Sequence, residues 1–315
     1  MHSLDEDILE AICALPPGAA WLFTVVATWG SSPRPPGSLL LIDSQGRRTG
    51  SVSGGCLEEA LAERIDAGAL RGPEPTLLTF GDIPGESARL GLPCGGRLEL
   101  LAEPIGDLAP WQRLREQVAR RQVLDRRVCL ISGETSLHPD PDMPGFRYVP
   151  GVSLVRTFGP AWQLLIVGAG PIARYLAPIA QGLGYRVVVC DPREDARAAW
   201  EPSAIALDPS MPDEAAAARA DDPRTALVAL THDPRLDDMA LMEALTGRAF
   251  YVGALGSRRT QAARRTRLAV LGLSEEQIGR LHGPVGLDLG ARTPPEIAVA
   301  IAADLILARR APERA

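Results

Sequence analysis

Two cysteines lie in glycine-rich turns near the start of the chain, where a thiol could meet a ligand. The turns are Ser53-Gly54-Gly55-Cys56 and Pro93-Cys94-Gly95-Gly96. Cys56 starts a predicted helix that runs to Ile65, so unpaired amides at the helix start would favour its thiolate, while Glu58 and Glu59 would repel that charge. A single cysteine is more often a small buried hydrophobe, but two matching turns favour a pair of ligand-contacting thiols.

A third glycine turn has the features of a phosphate site. Gly168 and Gly170 follow the apolar run 164–167 and precede a helical pattern. Such glycines let the backbone approach a pyrophosphate at a helix N-terminus. Asp191 ends the next predicted strand, where a carboxylate would bind a ribose hydroxyl and favour an NAD-like nucleotide over one with a 2′-phosphate. The alternative is a Rossmann fold that binds nothing.

Two later turns also follow predicted strands. In Thr231-His232-Asp233 the histidine is a candidate acid, base or ligand, and capping of the next helix by Asp233 is an equally supported interpretation. In Gly256-Ser257-Arg258 the hydroxyl of Ser257 and the guanidinium of Arg258 are candidate phosphate contacts. An ordinary helix start explains that second pattern as well.

The charged residues exclude several function classes. All 33 basic residues are arginine, which removes lysine Schiff-base chemistry and a P-loop lysine. The net charge of -6 argues against nonspecific nucleic-acid binding. The pairs Arg258-Arg259 and Arg264-Arg265 lie on a predicted helix, and we expect them to form a solvated face.

The remaining composition points to a cytoplasmic protein without a membrane span. The N-terminus is acidic, and no window holds the roughly 18 apolar residues that a span needs. Five cysteines at irregular spacing predict free thiols rather than a disulfide framework, with Cys13, Cys129 and Cys190 in the core. Neither Cys-x-x-Cys nor His-x-x-x-His occurs, so structural zinc is not expected.

The 315 residues predict two domains. Residues 1–106 read as an α+β domain, and 107–160 as a helix and a Pro-rich connection. Over 161–315 apolar strands alternate with helical patterns, which predicts a Rossmann-like, doubly wound parallel sheet. The fold class is therefore α/β, with an N-terminal α+β domain before it.

Taken in order, six segments resemble the XdhC/CoxI family over nearly the whole chain. These segments are SVSGGCLEE (51–59), LPCGG (92–96), LIVGAG (165–170), THD (231–233), GSRR (256–259) and PVGLDLGARTPPEIA (284–298). Members of this family are accessory proteins for molybdenum hydroxylases such as xanthine dehydrogenase. The resemblance implies an N-terminal XdhC-type domain followed by the Rossmann-like domain.

The resemblance also implies a function. The chain would bind molybdenum cofactor, assist its sulfuration together with a cysteine desulfurase, and hand it to an apo-molybdenum hydroxylase. By position, Cys56 and Cys94 become candidate cofactor or molybdenum contacts, with Gly54, Gly55, Gly95 and Gly96 around them. Arg34 becomes a candidate phosphate contact. We also expect a homodimer.

One position departs from the family pattern. Many relatives carry histidine after the Gly-Ala-Gly turn, whereas this chain has Pro171, so no role of that histidine can be transferred. Pro171 and the run Cys190-Asp191-Pro192-Arg193 look like a subgroup that serves an aldehyde oxidoreductase. The cofactor would then be molybdopterin cytosine dinucleotide rather than molybdopterin itself.

Our spatial hypothesis is that Cys56 and Cys94 line one pocket facing the carboxyl edge of the Rossmann sheet, within one protomer or across a dimer. Two other functions stay open on the residues alone. One is an NAD-dependent oxidoreductase with His232 as proton shuttle. The other is a redox sensor in which Cys56 and Cys94 form a reversible disulfide.

Overall fold

The computed structural model divides the chain into two compact units. One runs from Leu4 to Pro160, and the other begins at Ala161. The structure describes residues 4–15, 20–29, 34–70, 72–81, 97–139, 145–201 and 205–310, except for the side chains of Leu4 and Cys56. No helix in these ranges is both long enough and apolar enough to cross a bilayer.

The first unit contains a five-stranded antiparallel sheet. Its strands are β1 (Ala20–Trp29), β2 (Leu39–Asp43), β3 (Arg48–Gly50), β4 (Thr76–Phe80) and β5 (Arg97–Ile105). They lie in the order β3-β2-β1-β5-β4. The central strand β1 pairs with β2 and β5, and its register with β5 shifts between Val25 and Ala27.

Helices cover both faces of this sheet, and they are α1 (Leu4–Cys13), α2 (Cys56–Asp66) and α3 (Ala109–Ala119). Because side chains alternate between faces along a strand, β1 contributes to two cores. Leu22 packs in the cluster with Ile8 of α1 and Leu114 of α3, whereas Phe23 packs with Leu57 of α2. The cysteine turn therefore leads into a helix that is anchored on one sheet face.

The first unit also holds a four-stranded antiparallel sheet that the sequence did not lead us to expect. Its strands are β6 (Leu124–Cys129), β7 (Thr135–Pro139), β8 (Phe146–Val149) and β9 (Ser153–Phe158), in the order β7-β6-β9-β8. We expected a helix and a Pro-rich connection over 107–160. The helix is present as α3, but most of the remainder forms this sheet, and residues 140–144 of the connection lie outside the described residues.

A buried ion pair explains why the sequence pattern did not predict β6. Arg126, in the middle of the strand, is buried and donates to Glu103 of β5 at 2.8 Å. Its guanidinium also lies 4.2 Å from the ring centre of Trp111. Strand patterns assume that charged residues face solvent, and Arg126 breaks that assumption because its partners come from distant elements.

The second unit is a six-stranded parallel sheet. Its strands are β10 (Gln163–Val167), β11 (Arg186–Cys190), β12 (Ala206–Asp208), β13 (Thr225–Ala229), β14 (Tyr251–Ala254) and β15 (Leu281–His282). They lie in the order β12-β11-β10-β13-β14-β15, which confirms the predicted Rossmann-like fold class. β15 spans two residues, too few to leave a periodic signal.

Helices cover both faces of the parallel sheet as well. They are α4 (Pro171–Gly182), α5 (Glu194–Ala198), α6 (Pro212–Ala217), α7 (Pro234–Thr246), α8 (Arg258–Val270), α9 (Glu275–Gly279) and α10 (Pro294–Arg310). Along β10, Leu164 packs with residues of α4 and α10, and Leu165 packs with residues of α6, α7 and α8. Because both faces are buried, the strands read as continuous apolar runs.

Candidate functional site

The carboxyl edge of the parallel sheet brings together three of the predicted turns. β10 lies between β11 and β13, so the turns after these strands, at 168–170, 191–193 and 231–233, are neighbours. After β10 the chain forms β11 and β12 on one side of that strand, and it then crosses over to form β13 on the other side. Open α/β sheets bind ligands in the crevice at such a switch point.

Gly168 is where two of these turns meet. Its φ is +110°, and a Cβ placed there would lie 3.0 Å from both the amide nitrogen and Cγ2 of Thr231. Both the backbone conformation and the lack of space require glycine at this position. Gly170 differs, because its φ is −90° and a Cβ there would meet nothing within 4 Å. The space beside Gly170 is therefore open to a ligand.

The N-terminus of α4 faces this opening. Gly170 is the N-cap and Pro171 the first helical residue, so the first amide of the helix is absent. The amides of Ile172 and Ala173 have no acceptor within the helix, as at every helix start. Together with the partial positive charge of the helix end, they favour an anion.

Asp191 is held away from this opening. It is fully buried, and its Oδ2 accepts a hydrogen bond from the Ala169 amide at 2.9 Å. Arg193 fills the remaining positions through its amide at 3.0 Å, its Nε at 2.9 Å and its Nη2 at 2.8 Å. Burial opposes ionisation, but these bonds hold the pKa of Asp191 below its usual value. In this arrangement Asp191 shapes the glycine turn instead of presenting an oxygen to a ribose.

Arg193 presents a cation to the crevice, and sequence reasoning missed it. Its guanidinium is partly exposed, and it interacts electrostatically with Asp233 of the turn after β13. Arg197 also stabilises this turn, because its guanidinium donates a hydrogen bond to the carbonyl of Asp191 at 3.2 Å. The spacing of two residues between Asp191 and Arg193 is the signal that would have found this pair.

The turn after β13 is fixed by a buried carboxylate. Asp237 Oδ1 accepts from the amide of Thr231 at 3.2 Å and from its hydroxyl at 2.7 Å. Asp233 caps α7 by accepting from the Arg235 amide, as one of the two interpretations of this turn predicted. His232 itself is exposed at the tip of the turn.

Arg264 completes this network, which corrects our expectation of a solvated arginine face. Its side chain is only 2% exposed, and it pairs with Asp237 at 2.8 Å and with Asp238 at 3.2 Å. Arg265 donates to the carbonyls of Ile278 and Leu281. Burial raises the pKa of Asp237 to about 6, although Thr231 and Arg264 favour its ionised form. Of the four arginines, only Arg258 and Arg259 are exposed.

The Ser257 turn has the geometry of a helix start. Ser257 caps α8 by accepting from the Thr260 amide at 3.2 Å, and its hydroxyl lies 2.9 Å from that of Thr260. Arg258 is exposed, with its guanidinium 3.4 Å from Asp288. The phosphate role of Ser257 and Arg258 remains a prediction.

In the first unit, the turn before Cys56 wraps around the carboxylate of Glu58. The amides of four successive residues donate to it at 2.9–3.1 Å, namely Val52, Ser53, Gly54 and Gly55. Ser51 and Ser53 add their hydroxyls. Burial opposes ionisation of Glu58, but these donors outweigh it and lower its pKa to about 2.

The expectation that amides at the helix start favour the Cys56 thiolate stays a prediction, and the amides of the preceding turn have another acceptor. The amides of residues 52–55 are used by Glu58, which was expected only to repel the thiolate. Gly54 and Gly55 have φ of +97° and +150°, so the wrapped turn depends on glycine at both positions. Cys56 follows as the first residue of α2.

The remaining predicted residues lie in both units, and three of them fall outside the described residues. Cys94, Gly95 and Gly96 lie outside the described residues, and Arg34 is exposed just before β2. Cys190 is in the core as predicted, and burial raises its pKa to about 12, whereas Cys13 and Cys129 are only half-buried. Over the ranges that the structure describes, no three His, Cys, Asp or Glu side chains are grouped to hold a metal ion.

Comparisons with known proteins find family matches in each compact unit. The XdhC Rossmann domain matches residues 164–305, and the XdhC and CoxI family matches residues 16–81. A protein from Bacillus subtilis, named as a probable xanthine dehydrogenase component, is 29% identical over 98% of this chain and 96% of its own length. The Escherichia coli molybdenum cofactor insertion chaperone PaoD is 29% identical over 92% of this chain and 83% of its own.

A solved structure has the same fold. The crystal structure of a protein described as a xanthine dehydrogenase from Bacillus halodurans matches with a TM-score of 0.72 at 24% identity, covering 97% of this chain and 96% of that chain. The two family matches follow each other along the chain, one in each compact unit. The first compact unit thus carries a segment of the XdhC and CoxI family, and the second carries an XdhC Rossmann domain.

Proposed function

We propose that this chain is a cytoplasmic chaperone that binds molybdenum cofactor and inserts it into an apo-molybdenum hydroxylase of the xanthine dehydrogenase type. The observation that carries the proposal is the alignment with PaoD, a molybdenum cofactor insertion chaperone, over 92% of this chain. The name of the Bacillus subtilis relative indicates a client of the same class. In this proposal the cofactor is cargo, so the chain must both hold it and release it.

The crevice at the Rossmann edge would hold the phosphate end of the cofactor. Gly168 and Gly170 let the backbone come close, the first turn of α4 offers amides, and Arg193 supplies a cation. A pyrophosphate would use these groups more fully than a single phosphate. We therefore propose molybdopterin cytosine dinucleotide as the preferred form, in agreement with the Pro171 and Cys190–Arg193 pattern.

The cysteine turns would serve the molybdenum end. Molybdenum is held by soft sulfur ligands in its pterin cofactor, and thiolates are suitable partners for a transient contact. Glu58 keeps the Cys56 turn in one conformation through its bonds to residues 51–55. Cys94 is proposed for the same role on the basis of its matching turn, and a cysteine desulfurase is proposed as the sulfur donor.

The burial of Asp191 weighs against the NAD-dependent oxidoreductase. Asp191 would offer no free carboxylate oxygen to the ribose of a nicotinamide dinucleotide unless Arg193 moved away. A phosphate ligand needs no such movement, since Arg193 can donate from its exposed edge. The local chemistry of the crevice therefore favours recognition of phosphate over recognition of a ribose diol.

The proposal can be tested by identifying the bound pterin. The full chain is purified from a molybdenum-replete host, any ligand is oxidised and analysed by mass spectrometry, and a host that cannot make the pterin serves as control. We expect a pterin at near-stoichiometric amount, and loss of most of it in the Cys56→Ala/Cys94→Ala variant. Binding of the pterin by that variant as tightly as by the parent would refute the thiol role.

Further outcomes separate the competing functions. A nicotinamide complex that turns over a small alcohol or aldehyde, in place of a pterin, would support the oxidoreductase. A mass loss of two hydrogen atoms when a mild oxidant accepts two electrons from the thiols, together with altered ligand affinity, would support the redox sensor. An Arg193→Gln variant that still binds the dinucleotide form as tightly as the parent does would contradict the proposed pyrophosphate site.

A further inference from the structure

Trp29, the last residue of β1, has an exposed ring beside an arginine. Trp29 is 46% exposed, and the guanidinium of Arg97 lies 4.6 Å from the centre of its ring. In three other arginine–ring pairs among the described residues of the first unit the ring is buried, and these rings are Phe80, Trp111 and Phe158. Those arginines cover core side chains. The Trp29 pair instead presents two flat groups to solvent.

An extra residue in β1 sets the direction of Trp29. The register against β5 shifts between Val25 and Ala27, so Val26 is the additional residue, as in a β-bulge. Because side chains alternate between the two faces of a sheet, an unbroken β1 would turn Trp29 toward the face that α2 covers. With the bulge, Trp29 lies directly opposite Arg97 on the other face. Bulges re-aim side chains next to functional sites in this way.

Glu99 fixes the position of Arg97. Its Oε1 accepts a hydrogen bond from Nη2 of Arg97 at 2.7 Å, and the side chain of Glu99 is only 14% exposed. Glu99 also lies near Tyr148 of β8, since burial and the charge of Glu99 raise the pKa of that tyrosine. A guanidinium that is already held in place loses less conformational freedom when a flat ring stacks on it. The pair is therefore organised before a ligand arrives.

The pair lies at the end of the sheet that leads into the Cys56 turn. β1 and β3 both run antiparallel to β2, so the chain leaves β3 toward Cys56 at the end where β1 reaches Trp29. In the sequence, Cys94 precedes Arg97 by three positions. A ligand whose metal is bound by the cysteine turns would bring the ring next to that metal toward this end of the sheet.

We propose that Trp29 and Arg97 form a stacking site for the pterin ring of the molybdenum cofactor, an inference that rests on the proposed function. Flat heteroaromatic rings bind proteins by stacking on tryptophan rings and on arginine guanidinium groups. The cytosine of the dinucleotide form is also flat. The pterin is the better match, because it carries the sulfur atoms that hold molybdenum and therefore adjoins the end proposed for the cysteine turns.

The test measures the binding of the two rings separately. Pterin-6-carboxylate carries the pterin ring without molybdenum or phosphate, and cytidine 5′-diphosphate carries the cytosine ring with a pyrophosphate. Both are titrated by calorimetry into the full chain from a host that cannot make the pterin. Trp29→Ala should weaken the binding of pterin-6-carboxylate by roughly 10- to 100-fold, the usual effect of removing one stacked ring. The affinity for cytidine 5′-diphosphate should stay that of the parent.

Further variants separate stacking from a general loss of structure. Trp29→Phe keeps a flat ring and should retain most of the affinity for pterin-6-carboxylate, whereas Arg97→Gln should weaken it. Leu77→Ala is the matched control, because Leu77 is 45% exposed on the same sheet. Arg64→Gln is a second control, since it removes a guanidinium 4.6 Å from the buried ring of Phe80. Both controls should bind as the parent does, and circular dichroism verifies that each variant is folded.

Failure of this inference differs from failure of the proposed function. If the parent retains host pterin but Trp29→Ala retains as much, or if that parent does not bind pterin-6-carboxylate at millimolar concentration, the inference is wrong and the chaperone proposal stands. A loss of cytidine 5′-diphosphate binding alone in Trp29→Ala would assign the site to the cytosine ring and also overturn the inference. A parent that neither retains host pterin nor binds pterin-6-carboxylate would refute the chaperone proposal together with this site.

Discussion

The carboxylate of Asp237 fixes Thr231 at two atoms, its amide and its hydroxyl, and so sets the turn that carries His232. Asp237 is itself held by Arg264, which also pairs with Asp238 and donates to the carbonyl of Leu255 in the turn after β14. One buried arginine thus connects two turns at the carboxyl edge of the sheet. Truncating it leaves Asp237 buried without its cation, whereas Asp238 keeps Arg267 at 2.7 Å.

Arg264→Met should therefore be strongly destabilising. Removing one partner of a buried ion pair typically costs 3–5 kcal/mol, and we expect a loss of about that size in the free energy of unfolding. The loss should shrink as the pH falls below about 6, because burial raises the pKa of Asp237 to about 6 and removal of the cation raises it further. Urea unfolding at pH 7 and pH 5 measures both effects. Arg259→Met, at an exposed position on the same helix, should change stability by less than about 0.5 kcal/mol.

Glu58→Gln should weaken the fold at neutral pH and have little effect in acid. The pKa of Glu58 is lowered in the folded state to about 2, so its contribution is present above the ordinary glutamate pKa and is lost as the pH falls through about 2. The shift corresponds to at most about 3 kcal/mol at pH 7. Unfolding free energies of parent and variant should converge between pH 4 and pH 2. A constant difference across that range would contradict the ionised carboxylate, and exposed Glu59→Gln is the control.

The two glycines of the Rossmann turn should respond differently to alanine. Gly168→Ala meets both a positive φ and a Cβ contact of 3.0 Å with Thr231, so we expect a loss of roughly 1–3 kcal/mol in stability. Gly170→Ala has room and a normal φ, so it should fold as the parent does. Its methyl group would still occupy the approach to the helix amides and weaken phosphate binding. Thermal unfolding and pterin affinity distinguish the two effects.

Asp191→Asn should act on the shape of the turn rather than on the choice of nucleotide. The variant loses the charge that accepts from Arg193, and we expect a cost of about 1–3 kcal/mol in the free energy of unfolding. The ratio of affinities for NAD and for its 2′-phosphorylated form should stay unchanged, as measured by calorimetry. A reversed preference would show that Asp191 contacts a ribose after all.

The sequence predicted those parts of the molecule whose cause is local. The apolar runs of β10 and β11 and the glycines after β10 predicted the parallel sheet and the turn at its carboxyl edge, because strand burial and a tight turn depend on adjacent residues. Asp233 as a helix cap was likewise readable from neighbouring positions. These signals need no knowledge of the rest of the fold.

The parts that escaped prediction depend on partners far away in the chain. Arg264 looked like a surface residue because Asp237 and Asp238 lie 27 and 26 positions earlier. For the same reason Arg126 prevented the prediction of β6, since its partner Glu103 belongs to another sheet. Glu58 was near in sequence, but its role depended on the turn folding back over it. Charged residues were misjudged wherever burial was compensated by a contact that spacing does not reveal.

The wrapping of residues 51–55 around Glu58 has a consequence for a protein whose proposed task is to give its cargo away. A loop that needs a bound anion to keep its shape collapses whenever the anion leaves. Here the anion is part of the chain, so the loop stays formed between one delivery and the next. The empty protein is thereby already prepared for reloading, and release costs it no refolding of the thiol-bearing turn.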